Sequence, residues 1–392
     1  MARFEPFAAI RYADGIDLAA VSAPPYDVLS AADRAGLAAR HPANVVHIDV
    51  PVESDGPDRY AAAGALMRQW LADGVLIIDA APAFYRYTME FTDEAGEPRE
   101  VVGVIGALEV CVGPGCAVLP HEETTPKAKT DRLDLTRATR ANLSAIWGLS
   151  LAAGVGATIR KSVAVELGSF VDPDGVHHTL ERVDDAGAVA ELVEQIASAP
   201  VLIADGHHRN EVARQYRAEA GPGPADATLA FVVELAADQL AVQAIHRLVT
   251  TPDSAAVLAA LDRHFERAPA GAVTAALLPR LVAEGALALV EPDGQGWFLR
   301  PRPAAFGGLR DLDSERLRVA LAGVEHEVTY QHGVERVLAA LDAGLAQYAV
   351  LLRPVPVAEI ERTANEGALM PPKSTFFAPK PKTGMVFRSL NP

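Results

Sequence analysis

Cysteine is the first thing the sequence has little of. Its 392 residues include two, Cys111 and Cys116, too few for a disulfide framework and lacking the further ligands of a structural zinc site. Separated by Val-Gly-Pro-Gly, they are expected as two reduced thiols at a turn. Long apolar runs are missing as well. The uncharged stretch 141–159 approaches bilayer length, but Asn142, Ser144, Ser150, Gly148, Gly154 and Gly156 dilute it, so a buried segment is expected rather than a membrane span. The opening Met1-Ala2-Arg3-Phe4-Glu5-Pro6 begins no apolar run of signal-peptide length, which predicts a cytoplasmic protein.

Positive charge is also in deficit. Lys and Arg total 35 against 51 Asp and Glu, a net charge of −16. Such a field repels nucleic acid and anionic lipid, so neither is an expected partner. Several catalytic signatures are absent: there is no Walker loop, no H-E-x-x-H, no G-x-S-x-G and no strand-linked G-x-G-x-x-G.

What is present is an apolar half and enough chain for two or three cores. Ser30 caps a predicted helix that stops before Pro42, and a second helix runs from about Asp58 to Asp73 and ends at Gly74. Val75-Leu76-Ile77-Ile78 then reads as a buried strand, and 84–91 with 100–110 as paired strands around the Asp93-Glu94-Ala95-Gly96 turn. The stretch 120–142 reads as a loop leading into an amphipathic helix. His177-His178, beside the turn signature Asp172-Pro173-Asp174-Gly175, reads as a surface hairpin. Strands alternating with helices predict an α/β (mixed α+β) fold. The expected organisation is an N-terminal α/β domain over 1–250, a smaller α/β domain over 251–365, and a basic tail over 366–392 that packs back on the active cleft.

The richest chemistry lies at Asp205-Gly206-His207-His208-Arg209. Val201-Leu202-Ile203-Ala204 is an apolar run directly before it, and Val212, Ala213, Tyr216 and Ala220 follow at helical spacing until Gly221. A helix that starts where a buried strand ends presents backbone N–H groups and a positive dipole end, which attract phosphate. Gly206 permits close approach of the backbone, and Arg209 adds a fork of donors. Asp205 can cap, bind metal or orient a histidine, while His207 and His208 can donate to phosphoryl oxygens or move protons.

Two further clusters carry suitable groups. His121-Glu122-Glu123-Thr124-Thr125-Pro126-Lys127 combines a base, carboxylates suited to Mg²⁺, hydroxyls and a cation. The tail Lys373-Ser374-Thr375 adds an ammonium and two hydroxyls, and Phe376 and Phe377 predict that it packs onto the body; 370–392 holds four cations and no acid. By its proline content 370–380 is read as neither helix nor regular strand.

With these residues in view, the chain resembles the domain-of-unknown-function family 1015, often labelled ParB-like. The motifs that carry the resemblance are Pro6-Phe7-Ala8-Ala9-Ile10-Arg11, Pro24-Pro25-Tyr26-Asp27-Val28, His121-Glu122-Glu123-Thr124, Ala204-Asp205-Gly206-His207-His208-Arg209, His246-Arg247-Leu248 and Met370-Pro371-Pro372-Lys373-Ser374-Thr375. The run 205–209 is similar to the phosphate-binding motif of the superfamily that holds ParB partition proteins, sulfiredoxins and kinases of free serine. The resemblance implies a ParB/sulfiredoxin-like core around this strand–turn–helix unit. Sulfiredoxins keep a cysteine where this chain has His207, and partition proteins carry a helix-turn-helix with no counterpart here, so neither activity is expected.

The implied activity is phosphoryl transfer to a small hydroxylated metabolite, as in the free-serine kinases. Alternatives are a nucleotide hydrolase, or a non-catalytic nucleotide-sensing or ParB-like regulatory protein. In this reading His121, Glu122, Asp205 and His207 do the chemistry, and Glu122 and Asp205 hold Mg²⁺. The phosphates of a nucleotide or pyrophosphate donor fall to Gly206, His208, Arg209, Lys373, Ser374 and Thr375. Arg11, Tyr26, Asp27, Thr124, Lys127, Arg132 and Lys380 complete the expected ligand shell. The expected partner is a phosphorylated small molecule, with homo-oligomerisation open.

Overall fold

Helix boundaries follow local capping. Ser30 accepts from the Asp33 N–H while Asp33 accepts from the Ser30 N–H, and this reciprocal box starts the helix Ala31–Arg40. Asp58 accepts from the N–H groups of Tyr60 and Ala61 at the start of Arg59–Ala72, which buries Met67 and Trp70. Asp185 and Asp253 cap Ala186–Ala197 and Ser254–His264 in the same way.

The computed structural model describes residues 1–392 apart from 56–57, 95, 112, 114, 121–128, 372 and 392, and describes 129–130 by backbone alone. The described residues form a mixed α/β fold in two units. Unit 1 comprises 1–91, 99–240 and 379–392, and unit 2 comprises 92–98 and 241–378. The division therefore falls at 240 rather than 250. His246–Thr250, which the sequence reading put in the N-terminal domain, is a strand of unit 2's own sheet, hydrogen-bonded to Glu327–Gln331 and Tyr348–Leu351. The tail is divided too: 379–392 belongs to unit 1, while Lys373, Ser374 and Thr375 belong to unit 2.

Unit 1 is built on a nine-stranded mixed sheet. Its order is Val118–Pro120, Val201–Asp205, Ile146–Ser150, Ala227–Glu234, Pro98–Glu109, Phe84–Thr92, His177–Val183 and Val165–Val171, with Phe4–Glu5 beside Pro98–Glu109. A core of Phe4, Phe84, Val104, Leu108, Ile146, Leu192, Ile196, Val201 and Val232 packs on it. A smaller sheet, Leu76–Ile78, Ala9–Tyr12, Phe387–Ser389 and Ala141–Asn142, packs with Trp70, Met67 and Leu135 in a second core. The tail contributes the strand Phe387–Ser389, whose Phe387 and Arg388 pair with Ile10 and Ala9. Within 370–380, read as neither helix nor strand, Phe376–Ala378 pairs in unit 2 with Ala241–Gln243, its ladder hydrogen bonds falling between the prolines. Ile78, read as buried, is 60% exposed because it ends an edge strand.

Unit 2 has a six-stranded sheet, ordered Phe265–Ala272, Gln295–Pro301, Leu287–Val290, Tyr348–Leu351, His246–Thr250 and Glu327–Gln331, with an apolar cluster on each face. Among the described residues, no helix is long and apolar enough to cross a membrane. Cys111 and Cys116 correct another expectation: they are not reduced thiols, because their Cα atoms, 5.5 Å apart, lie within disulfide reach and their sulfurs are bonded.

Candidate functional site

The apolar strand Val201–Asp205 lies between Ile146–Ser150, which is antiparallel to it, and Val118–Pro120, which is parallel. Its four apolar residues are buried, and a register shift after Ile203 sets Asp205 opposite Trp147. The chain turns at Gly206, whose φ of +86° is left-handed, and enters the helix His207–Ala220. Glycine is needed here twice over. The φ is unfavourable for a side chain, and a Cβ would stand 3.1 Å from Arg209 Nε and from Cα and Cγ2 of Ile146. As the N-cap, Gly206 has no side chain with which to cap the helix.

Asp205 and Arg209 are one helical turn apart and form an ion pair, Arg209 Nη2 to Asp205 Oδ2 at 2.7 Å. Arg209 Nη1 donates to the carbonyl of Ala145. Its Nε is buried against Gly206, with no hydrogen-bond partner among the described residues. The other oxygen of Asp205 takes the ammonium of Lys380, at 2.7 Å. Burial alone would push the Asp205 carboxyl up, but Lys380 and Arg209 outweigh it and hold the group well below the usual carboxylate range. Burial also works against the charge of Arg209, which Asp205, Asp27, Tyr26 and Asp49 nonetheless keep firmly protonated. The junction is a cation pair fixed on a part-buried carboxylate at the start of a 14-residue helix.

A polar layer packs beside Arg209. Asp49, Arg132 and Arg209 line a pocket with Thr136, Asn142, Ser144, Tyr216 and Thr228, floored by Leu135, Leu143 and Val212. Arg132 donates to the Asp49 carbonyl at 2.7 Å and to its Oδ1 at 3.1 Å, and reaches Asp131 Oδ2 at 2.9 Å. Its guanidinium lies 4.1 Å from the Tyr26 ring centroid. Burial pushes the Asp49 carboxyl up, against the opposing pull of Arg132 and Arg209, and burial likewise raises the Tyr26 phenol. Asp27 is exposed, yet close enough for its charge to act on Arg209.

A family model described as "Protein of unknown function (DUF1015)" matches residues 4–343. The chain belongs to that family. No curated protein matches it. Among solved structures it is similar to free serine kinase in complex with AMP, at 16% identity and a TM-score of 0.37, covering 71% of this chain and 88% of that one. It is also similar to a conserved hypothetical protein from Pyrococcus furiosus, at 14% identity and a TM-score of 0.38, covering 69% and 90%. SbnI from Staphylococcus aureus, with a C-terminal truncation, matches at 11% identity and a TM-score of 0.40, covering 71% and 85%.

In this DUF1015 chain the structure brings together Tyr26, Asp27, Asp205, Gly206, His207, Arg209 and Lys380, with Arg132 in the adjoining layer. His208 stands on the same first helical turn. Arg11 is used otherwise than expected. It is buried, with Nε 2.8 Å from Asp79 Oδ1 and Nη1 2.7 Å from Asp14 Oδ1, and Asp79 also accepts from the Tyr85 hydroxyl. Lys373 and Ser374 are held within unit 2, where Arg247 donates to the Lys373 carbonyl at 2.9 Å and Ser374 Oγ donates to the Pro371 carbonyl at 2.7 Å. Thr375 is buried in the same unit. His121, Glu122, Thr124 and Lys127 lie outside the described residues.

The described donors do not fit Mg²⁺ at Asp205, since each carboxylate oxygen already holds a cation. Among the described residues no group of three His, Cys, Asp or Glu is disposed to hold a metal ion.

Sequence reasoning missed Asp49 and a group around His178. The expected hairpin is present, Val165–Val171 with His177–Val183, but His178 on it is fully buried, since residues alternate across the strand and 178 faces inward. Its Nδ1 is 2.8 Å from the Tyr87 hydroxyl and its Nε2 is 3.2 Å from Asp172. The signal was the spacing Lys380-Pro381-Lys382, which in an extended chain aims two ammonium groups to one side.

Proposed function

We propose that unit 1 binds the phosphate groups of a small molecule at the start of the helix His207–Ala220, and that the family's activity there is phosphoryl transfer to a hydroxylated metabolite. The observation that carries this reading is the joint placement of Arg209 and Lys380 on Asp205 beside a glycine-capped helix start. An anion arriving there meets backbone N–H groups, the dipole and two cations, while Asp205 keeps those cations in place before it binds. His207 and His208, on the first turn, add ring N–H donors for the phosphoryl oxygens.

Asp205 itself acts as an orienting group in this scheme. A carboxylate held so far below its ordinary range is a weak proton acceptor. The base is therefore assigned to His121 or Glu122. The described strand that leads to them ends at Pro120, opposite Ile203 and two residues short of Asp205. Mg²⁺ arrives in this scheme with the donor. The weak basicity of Asp205 also favours a second reading, a sensor that binds nucleotide without turnover.

The test is phosphorus NMR of the full chain with Mg²⁺ and ATP, ADP, CTP or pyrophosphate, and a panel of hydroxylated metabolites that includes L-serine. A new phosphoester signal supports the kinase, release of inorganic phosphate alone supports a hydrolase, and binding without turnover supports the sensor. Failure of every donor to bind, by calorimetry, refutes the phosphate site.

A further inference from the structure

The segment 379–383 is held on unit 1 at several points. Lys380 meets Asp205, and Thr383 exchanges backbone hydrogen bonds with Ala23 at 2.8 and 3.1 Å. Between them Lys382 makes two contacts that lead back to each other. Its backbone N–H donates to the Tyr87 hydroxyl at 3.2 Å, and its ammonium lies 2.5 Å from Asp172 Oδ2. His178 joins the two ends, 2.8 Å from Tyr87 and 3.2 Å from Asp172.

Proton counting fixes the direction of this circuit. Tyr87 accepts from Lys382 and points its single proton to His178 Nδ1, which offers a lone pair because the bond to Asp172 fixes the ring's proton on the other nitrogen. The imidazole proton sits on Nε2 and is donated to Asp172, whose carboxylate can only accept. Asp172 is itself immobilised, because its Oδ1 accepts the N–H groups of Asp174 and Val176, both at 2.9 Å. The circuit starts and ends on one residue, and that residue lies in the tail segment.

Burying the polar groups of these four residues costs desolvation that a leucine at 178 would avoid, so their value lies in what they hold. They hold Lys382, and Pro381 fixes the backbone between Lys382 and Lys380. A slip of one residue would turn both ammonium groups away from their carboxylates.

We propose that Tyr87, His178, Asp172 and Lys382 are positioning residues that set the register of 379–383 and so present the Lys380 ammonium to Asp205 and to the anion bound there. The last part of this statement rests on the phosphate-site reading above.

The experiment compares wild type with Lys382→Met, His178→Phe and His178→Gln in the full chain. Gln replaces the imidazole by an acceptor and a donor at similar separation. Two readouts are taken on samples whose folding is checked by thermal unfolding: the rate at which an amine-acylating ester labels Lys380, by peptide mass spectrometry, and pyrophosphate affinity, by calorimetry. Loss of the circuit is expected to speed labelling and weaken pyrophosphate binding by about tenfold each in Lys382→Met and His178→Phe, with His178→Gln close to wild type. The nitrogen spectrum of wild-type His178 should report the proton on Nε2.

Labelling of Lys380 at the wild-type rate in folded Lys382→Met overturns the proposal, and this variant decides the matter if His178→Phe fails to fold. If wild type binds no pyrophosphate, the phosphate reading fails alone, while the labelling rates still decide the positioning.

Discussion

Gly206 and Gly15 allow the packing at the site to be measured with the backbone cost subtracted. Their φ angles are +86° and +87°, but a Cβ at Gly15 meets nothing within 4 Å, while one at Gly206 meets Arg209 Nε and Ile146 Cα and Cγ2, each at 3.1 Å. The left-handed conformation costs an alanine about 1–2 kcal/mol, of which about 0.4–1 is returned by the stiffer unfolded chain, so Gly15→Ala should lose about 1 kcal/mol. Gly206→Ala carries that cost plus overpacking against a backbone atom that a rotamer change cannot move, about 1–3 kcal/mol more. Guanidinium unfolding of both variants should place the Gly206→Ala midpoint clearly below that of Gly15→Ala at unchanged slope. Pyrophosphate affinity should fall in Gly206→Ala alone, because Arg209 is what gives way. Equal midpoint shifts in the two variants would falsify the packing argument.

Three other outcomes are expected. Arg11→Met should destabilise unit 1 by about 3–5 kcal/mol by stranding buried Asp79, yet leave pyrophosphate affinity unchanged at temperatures where the variant is folded; a loss of affinity would return Arg11 to the ligand shell. Reducing the Cys111–Cys116 bond closes no new contact and should cost about 2 kcal/mol for so short a loop, read as a lowered unfolding midpoint with reductant present and no change in a Cys111→Ser variant. Burial lowers the pKa of His178 to about 4, with Asp172 opposing and Lys382 reinforcing that shift, so unfolded chains bind the extra proton first as pH falls. The neutral ring's contribution is complete above about pH 6.5 and is lost progressively towards pH 4, up to about 3 kcal/mol. His178→Gln should flatten that part of the stability–pH curve and leave the part due to His246 in unit 2, also lowered to about 4 by burial; an unchanged curve would refute the assignment.

Local rules made the α/β class and many element boundaries readable. Ser30 and Asp58 start helices because their side chains satisfy backbone donors within three residues, information that sits in adjacent letters. The junction 201–209 was readable for the same reason: a four-residue apolar run, a glycine and a helical repeat are all local. Partners chosen across the fold were not. Arg11 stands in a motif with no neighbour that reveals Asp79, 68 residues away, and Lys380 finds Asp205 across 175 residues. His178 follows a strong turn signature, which gave the hairpin correctly and concealed that its second histidine points inward onto Tyr87. Cys111 and Cys116 were separable from a zinc site by counting, but whether two thiols meet depends on turn geometry that spacing alone leaves open.

Unit 1 is discontinuous, and this bears on how it is made. Its strand Phe387–Ser389 lies between Ala9–Tyr12 and Ala141–Asn142, yet a ribosome must complete 241–378 before that strand or Lys380 exists. Until then the nascent chain holds two separated strand edges, and Asp205 and Asp172 lack their lysines. Closure over nearly the whole contour of the chain is a slow, high-separation event. The site is consequently assembled late in biosynthesis, and chains cut before 379 are expected to need chaperone protection instead of simply lacking a tail.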